Sequence, residues 1–260
     1  MKQTAAPLKS EATRAKILGC ALALFRKRGF DRTTMRDVAD SAGVALGGAY
    51  YYFPSKHALV LAYYQETQAA HSTRARATMR SARGLRERVG AVFHTKLDVL
   101  QKDRKLLGAI FRSVGDPADP LSLFGSQAAD VRNESIALFD QALEGSDITP
   151  EMRPLVTMAL WGLHMGVLLY FLHDTSTKQA RTRRLVDGGL DQVVALLSLA
   201  PMLGPLTHPL TALLEEAQLL PVPGKNKPLP STPALLAEPL SAKWNGVVSA
   251  GTARKRTPVR

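Results

Sequence analysis

The sequence predicts an all-α protein. Almost every segment between residues 10 and 200 carries its apolar residues at helical spacing, and none shows the sustained alternation of a half-buried strand. Prolines, which would interrupt such helices, collect at the other end. Ten of the sixteen lie beyond residue 200, in runs such as PVPGKNKPLPSTP. The expected architecture is a short three-helix unit, then a larger helical bundle, then a Pro-rich tail.

Taken in order, the helices are expected over residues 10–28, 34–41, 45–53 and 55–81, then 85–102, 106–114, 121–143, 150–172 and 177–199. The first has Ile17, Leu18, Ala21, Leu24 and Phe25 on one face; Arg26, Lys27 and Arg28 complement the negative end of its dipole before Gly29 stops it. Thr34 with Asp37 forms a variant capping box for the second helix, whose buried positions are Met35, Val38, Ala39 and Ala42. Gly43 supplies the turn into the third. Two short helices joined by a glycine-containing turn form a helix-turn-helix over residues 34–53.

In GVALGGAYYYFPSK, residues 43–56, helical period separates two faces. Ala49, Tyr52 and Phe53, with Gly48 and Ala45, can pack on the preceding helices. Leu46, Gly47, Tyr50 and Tyr51 lie opposite, where a glycine admits a phosphate and tyrosines offer hydroxyls. Pro54 halts this helix, Ser55 can cap the next, and Lys56 stands in a first turn whose dipole disfavours a cation unless a phosphate binds there.

Charge points to the same kind of partner. The net charge is +12, with +6 in residues 1–57, +2 in 58–200 and +4 in 201–260, so the basic excess sits at the two ends and suits a polyanion. The single cysteine, Cys20, excludes an internal disulfide framework or a cysteine zinc site and is expected as a structural, buried thiol. The polar N-terminus lacks an apolar signal core, which favours the cytoplasm. Residues 155–172 form an 18-residue uncharged run at the lower limit for a membrane span. His164 near its centre and the flanking Glu151, Arg153 and Asp174 favour a helix buried in a bundle or dimer, and no membrane partner is expected.

The run from Glu11 to Leu59, through LFRKRGF, TTMRDVADSAGV and GGAYYYFPSKHAL, resembles the N-terminal domain of the tetracycline-repressor (TetR/AcrR) family of transcriptional regulators. The resemblance implies phosphate contacts from Thr34, Tyr50 and Lys56, with Ala45, Leu46, Gly47 and Tyr51 facing the major groove of an operator, expected to be palindromic. Ala45 stands where the family often has a capping Ser or Thr, and Leu46 where a polar or basic residue is common. The face thus lacks bidentate base readers, and specificity is left to thymine methyl contacts from Ala45 or Leu46, to Arg36, or to DNA shape.

For the rest, the resemblance implies an effector-binding and dimerisation domain over residues 58–200, following a flexible arm (1–10) and the DNA-binding domain (11–57). A mostly disordered basic tail is expected over 201–260, with a short helix within 210–220. The helices around 155–172 and 183–199 are the expected homodimer surface, where Gly162, Gly166, Gly188 and Gly189 would permit close approach. Large or polar groups on apolar faces mark candidate effector contacts: Phe93, His94, Phe111, Arg112, Trp161, His164, Met165 and Phe171. The loop over 115–125 could line an entrance, and the effector is expected to be apolar or aromatic. No paired carboxylates, metal-ligand spacing or nucleophile-base arrangement argues for an enzyme, and no cofactor or metal is expected. The functional expectation is a homodimeric repressor released by a small molecule. The alternative is an activator or partner-controlled regulator whose tail mediates interactions.

Overall fold

Local stops set the geometry of the first helices. In the computed structural model, which describes residues 5–104, 106–108, 110, 121–122, 125–198 and 204–216, α1 (Ala5–Arg28) closes at Gly29 with φ 88°. Here the Gly29 N–H donates to Phe25 O at 2.9 Å. The described helix reaches back past the expected start at residue 10, to Ala5. α2 (Met35–Ala42) and α3 (Leu46–Tyr52) follow, joined through Gly43 at φ 64°, a conformation that disfavours any side chain. α4 (Lys56–Met79) begins with Ser55 Oγ accepting from Ala58 N (3.1 Å).

The larger bundle contains α5 (Leu85–Leu100), α6 (Ala129–Ala142), α7 (Arg153–His173) and α8 (Ala180–Leu197). Three of its starts lie later in the chain than periodicity predicts. Gly125 turns back, its N–H on Ser122 O, so α6 begins at 129 rather than 121. Thr149 O takes the N–H groups of both Met152 and Arg153, so α7 begins at 153 rather than 150. Lys178 and Gln179 adopt positive φ (51° and 52°), so α8 begins at 180 rather than 177. Asp174 fixes that last corner. Its carboxylate accepts from Ser176 N (2.8 Å) and Oγ (2.6 Å) and from Thr182 N (2.9 Å) and Oγ1 (2.7 Å). Burial pushes its pKa up, but those hydrogen bonds outweigh it and hold the carboxyl well below the ordinary range.

One contiguous apolar core runs from the helix-turn-helix into the bundle. Ile17, Leu18, Ala21 and Phe25 are buried on α1, which packs on α2 and α4; Leu59, Val60 and Tyr63 of α4 continue the core toward Val92, Phe93 and Leu97 of α5. Leu24 is only half-buried, and Leu22 takes the buried place. Helix α4 therefore belongs to both parts: it starts against the α1–α2 turn and packs farther along on α5 and α6. At Gly90 an added Cβ would stand 3.2 Å from Leu190, so its absence lets α8 close on α5.

A helix near the end of the described residues, α9 (Gly204–Glu216), packs on α7 despite Pro209 within it. It overlaps the helix expected within 210–220 but begins earlier, so an ordered segment extends past the expected tail boundary at 201. Phe111, Arg112, most of the 115–125 loop, the end of the helix expected over 106–114 and the tail beyond 216 lie outside the described residues.

Candidate DNA-binding face and ligand cavity

The helix-turn-helix begins on a complete capping box. Thr34 Oγ1 accepts from Asp37 N (3.1 Å), and Asp37 Oδ2 accepts from Thr34 N (2.8 Å). The same hydroxyl donates to Asp37 Oδ2 (2.7 Å), so its proton is already committed. These Thr34 bonds lower the Asp37 pKa, with a further contribution from Arg28. On the same edge Arg36 is exposed.

Helix α3 turns one side inward and one out. Ala49 and Phe53 are buried, and the Arg14 guanidinium lies 4.8 Å from the Phe53 ring centroid. Tyr52 is half-buried, with its hydroxyl 3.3 Å from Ser10 Oγ. Outward stand Ala45, Gly47, Tyr50 (47% exposed) and Tyr51 (82% exposed), with Leu46 half-buried at their margin. Ala45 is thus exposed rather than packed, and no side chain caps α3.

Lys56 already has protein partners. Its ammonium donates to Phe30 O (2.9 Å) and Asp31 O (3.4 Å) and lies 4.5 Å from the Phe30 ring centroid, tying the start of α4 to the α1–α2 turn. An ammonium has three donors, so one remains for a phosphate.

A second tie joins α1 to the bundle. Asp103, buried in the 3₁₀ turn after α5, accepts from Arg26 Nε (2.6 Å) and from Tyr63 Oη (3.0 Å). Burial, with the Asp103 carboxylate beside it, raises the Tyr63 pKa, so the phenol keeps the proton it donates.

Tyr63 also lines a cavity, about 80 Å³ of it open to the centres of water molecules, between α4, α5, α6 and α7. Tyr64, Thr67 and Gln68 share its α4 wall; Lys96 and Leu100 come from α5, Val131, Arg132 and Ser135 from α6. From α7 come Trp161, His164, Met165 and Leu168. Behind the wall, His71 stacks on His164 at 6.2 Å between centroids, with Nε2 2.9 Å from Val92 O. Burial holds both imidazoles neutral: His164 is pulled down to about 3, and His71 well below its ordinary value, with Lys96 adding to each shift.

That pair gives the fold an acid limit. Both histidines take protons more readily unfolded, so their full contribution is present above about pH 6.5 and is lost as pH falls toward the folded values. Stability is expected to drop by about 1.4 kcal/mol per pH unit per imidazole below pH 6. Urea unfolding at pH 7 and 5 measures it, and His164→Leu should flatten the slope.

Comparison with known proteins decides the family. A model of bacterial regulatory proteins of the tetR family matches residues 17–63, and a model of the tetracyclin repressor-like C-terminal domain matches residues 88–220. The chain belongs to the TetR family. One TetR-family relative is the probable HTH-type transcriptional regulator ArpR of Pseudomonas putida, 30% identical over 161 residues. That match covers 62% of this chain and 64% of the relative, short of two thirds of its length. The HTH-type transcriptional repressor KstR2 of Rhodococcus jostii is 45% identical over 47 residues, 18% of this chain and 23% of the relative. Among solved structures, FadR from Bacillus subtilis in complex with stearoyl-CoA superposes with a TM-score of 0.56 at 16% identity, covering 69% of this chain and 96% of that one. At that identity the likeness shows the fold.

Within this TetR fold the expected effector residues separate. Trp161, His164 and Met165 line the cavity. Phe93 sits behind it, 5.3 Å from His164 and 5.5 Å from Phe139 between ring centroids. His94 and Phe171 are not part of the lining: His94 Nε2 meets Asp187 Oδ1 at 2.9 Å across α5 and α8, and Phe171 is fully buried in the core. Lys96 and Gln68 line the cavity but escaped the sequence reading. A signal existed for Lys96: four residues after Val92 and four before Leu100, it occupies a buried register of α5.

Proposed function

We propose that the protein is a homodimeric, cytoplasmic transcriptional repressor that binds a palindromic operator and is released from it by a small apolar or aromatic molecule held in the cavity. The observation that carries this reading is the outward face of α3. A capped α2, a tight Gly43 turn and a buried Ala49–Phe53 face leave Gly47, Tyr50 and Tyr51 projecting from a basic module, as major-groove docking requires. Tyr50 and Lys56 supply phosphate contacts, and Ala45 and Leu46 meet the bases with Arg36 beside them; Thr34 caps α2 instead, since Asp37 takes both its N–H and its hydroxyl proton. Residues 11–57 act as the DNA-reading module and 58–200 as the control domain.

Two copies are needed because one short module makes few contacts, whereas two half-sites about one helical turn (about 34 Å) apart bind together. Exposed apolar residues on two helices support such pairing. On α7, Ala159, Gly162, Leu163, Gly166, Leu169 and Tyr170 form an exposed apolar stripe, and α8 adds Leu185, Gly188 and Leu196. An added Cβ at Gly162, Gly166, Gly188 or Gly189 would meet nothing within 4 Å among the described residues, which leaves room for a partner helix. This stripe also accounts for the apolar length of α7, the one described helix that passes a membrane-span test by length and composition. Its buried side carries His164 and faces the cavity.

Effector control follows from α4, which lines the cavity with Tyr63, Tyr64, Thr67 and Gln68 and ends against the DNA module at Lys56. A ligand that fits better when α4 is displaced favours a dimer whose recognition helices no longer match successive grooves. Leu163→Glu with Leu169→Glu is expected to yield helical monomers by sedimentation velocity and to weaken binding to upstream DNA at least about 100-fold. A monomeric wild-type chain that still bound a full operator would overturn the reading.

A further inference from the structure

The charges lining the cavity are all of one sign. Among the described residues two basic side chains, Lys96 and Arg132, border it, and no Asp or Glu does. Lys96 is the telling one. It is buried, and among the described residues its ammonium makes one hydrogen bond, to Gln68 Oε1 at 2.8 Å, and no ion pair. The Gln68 amide is oriented for that role, because its Nε2 donates to Ser72 Oγ (3.2 Å) and turns the oxygen toward the lysine. Two ammonium donors have no described partner.

A buried cation without a counter-charge is costly to keep, and the fold keeps it charged: burial brings Lys96 down only to about 8, above neutral pH. The neighbouring histidines supply no counter-charge, since an imidazole is neutral or cationic, and burial together with Lys96 keeps both neutral. Most of the remaining wall is aromatic or aliphatic, including Tyr63, Trp161, Leu100 and Leu168, with the uncharged polar Thr67 and Ser135 among them. A desolvated ammonium inside an apolar wall complements one charged head on an apolar body.

We infer that the cavity binds an organic carboxylate, an anionic head on an aliphatic or aromatic body, with Lys96 Nζ as its counter-ion. This rests on the cavity being the effector site and narrows the effector from an apolar molecule to an amphipathic monoanion. Lys96 and Gln68 are then the specificity-determining residues, and the apolar wall sets the size of the body.

The test uses the full-length chain with Trp244→Phe, so that Trp161 in the cavity wall is the only tryptophan reporter. Octanoate and 1-naphthoate are titrated at pH 7 against octanamide and 1-naphthamide. At least one carboxylate should quench Trp161 with an affinity ten-fold or more above that of its amide. Lys96→Met, which keeps the length of the side chain, should erase that preference while leaving amide binding in place; Lys96→Gln provides a second uncharged variant should the first melt early. Equal affinity for acid and amide, a preference that survives loss of the lysine, or no quenching by any of the four probes would overturn the inference. Operator release is measured separately. Amides that bind as well as acids and release DNA would overturn the anion preference and keep the effector reading. Carboxylates that bind as expected yet leave operator affinity unchanged would do the reverse.

Discussion

Tyr51→Ala is expected to weaken operator binding at least about ten-fold, roughly 1.4 kcal/mol, and Tyr50→Ala by a similar factor. Neither should move the unfolding free energy by more than about 0.5 kcal/mol, because neither side chain is part of the core. The exposures make this separation possible: Tyr51 is 82% exposed and Tyr50 47%, while Ala49 before them and Phe53 after them are buried. Fluorescence anisotropy with a labelled upstream fragment, alongside urea unfolding, reads both quantities. Tyr52→Ala is the contrasting control. Its ring packs edge-on against Tyr51 at 5.1 Å and its hydroxyl reaches Ser10, so loss of stability should accompany any loss of binding.

Asp103→Ala should have the largest effect on the fold, about 2–3 kcal/mol of lost stability, because it leaves the buried Tyr63 hydroxyl without its acceptor and Arg26 without its carboxylate. Tyr63→Phe removes the hydroxyl instead and should cost only about 1 kcal/mol. The two mutations together should cost less than their sum, since they share one hydrogen bond. More is at stake than stability. Tyr63 lines the cavity and Arg26 stands in the last turn of α1, so the Arg26–Asp103–Tyr63 chain is a direct polar connection from the cavity to the first helix. Cutting it should reduce the loss of operator affinity caused by whichever probe quenches Trp161. Thermal unfolding and anisotropy with and without that probe measure the two consequences.

The DNA module was legible because its signals are local. The Thr34–Asp37 box, Gly43 and Ser55 act within a turn or two of themselves, and each appears where the spacing places it. The bundle was harder to read at its corners. The starts of α6, α7 and α8 depend on Ser122, Thr149 and Asp174 drawing nearby N–H groups into turns, while apolar period alone runs on through them. The cavity was least legible. Trp161, His164 and Met165 share a face of one helix, but Gln68 and Lys96 meet across α4 and α5, and no spacing along the chain announces that pairing. Lys56 illustrates the opposite error of treating a cation as free for a ligand: its carbonyl partners in the α1–α2 turn lie 26 and 25 residues away.

In the proposed function the outward face of α3, presented twice by a dimer, reads a specific DNA site. The most direct measurement is a footprint of the purified wild-type protein on the DNA upstream of its own gene, with a shuffled fragment of the same composition as competitor and at two salt concentrations. Two protected segments about one helical turn (about 34 Å) apart, resisting the competitor and weakening steeply with salt, are the predicted result. Protection that the shuffled fragment removes equally well, or that survives Tyr50→Ala with Tyr51→Ala unchanged, would contradict it.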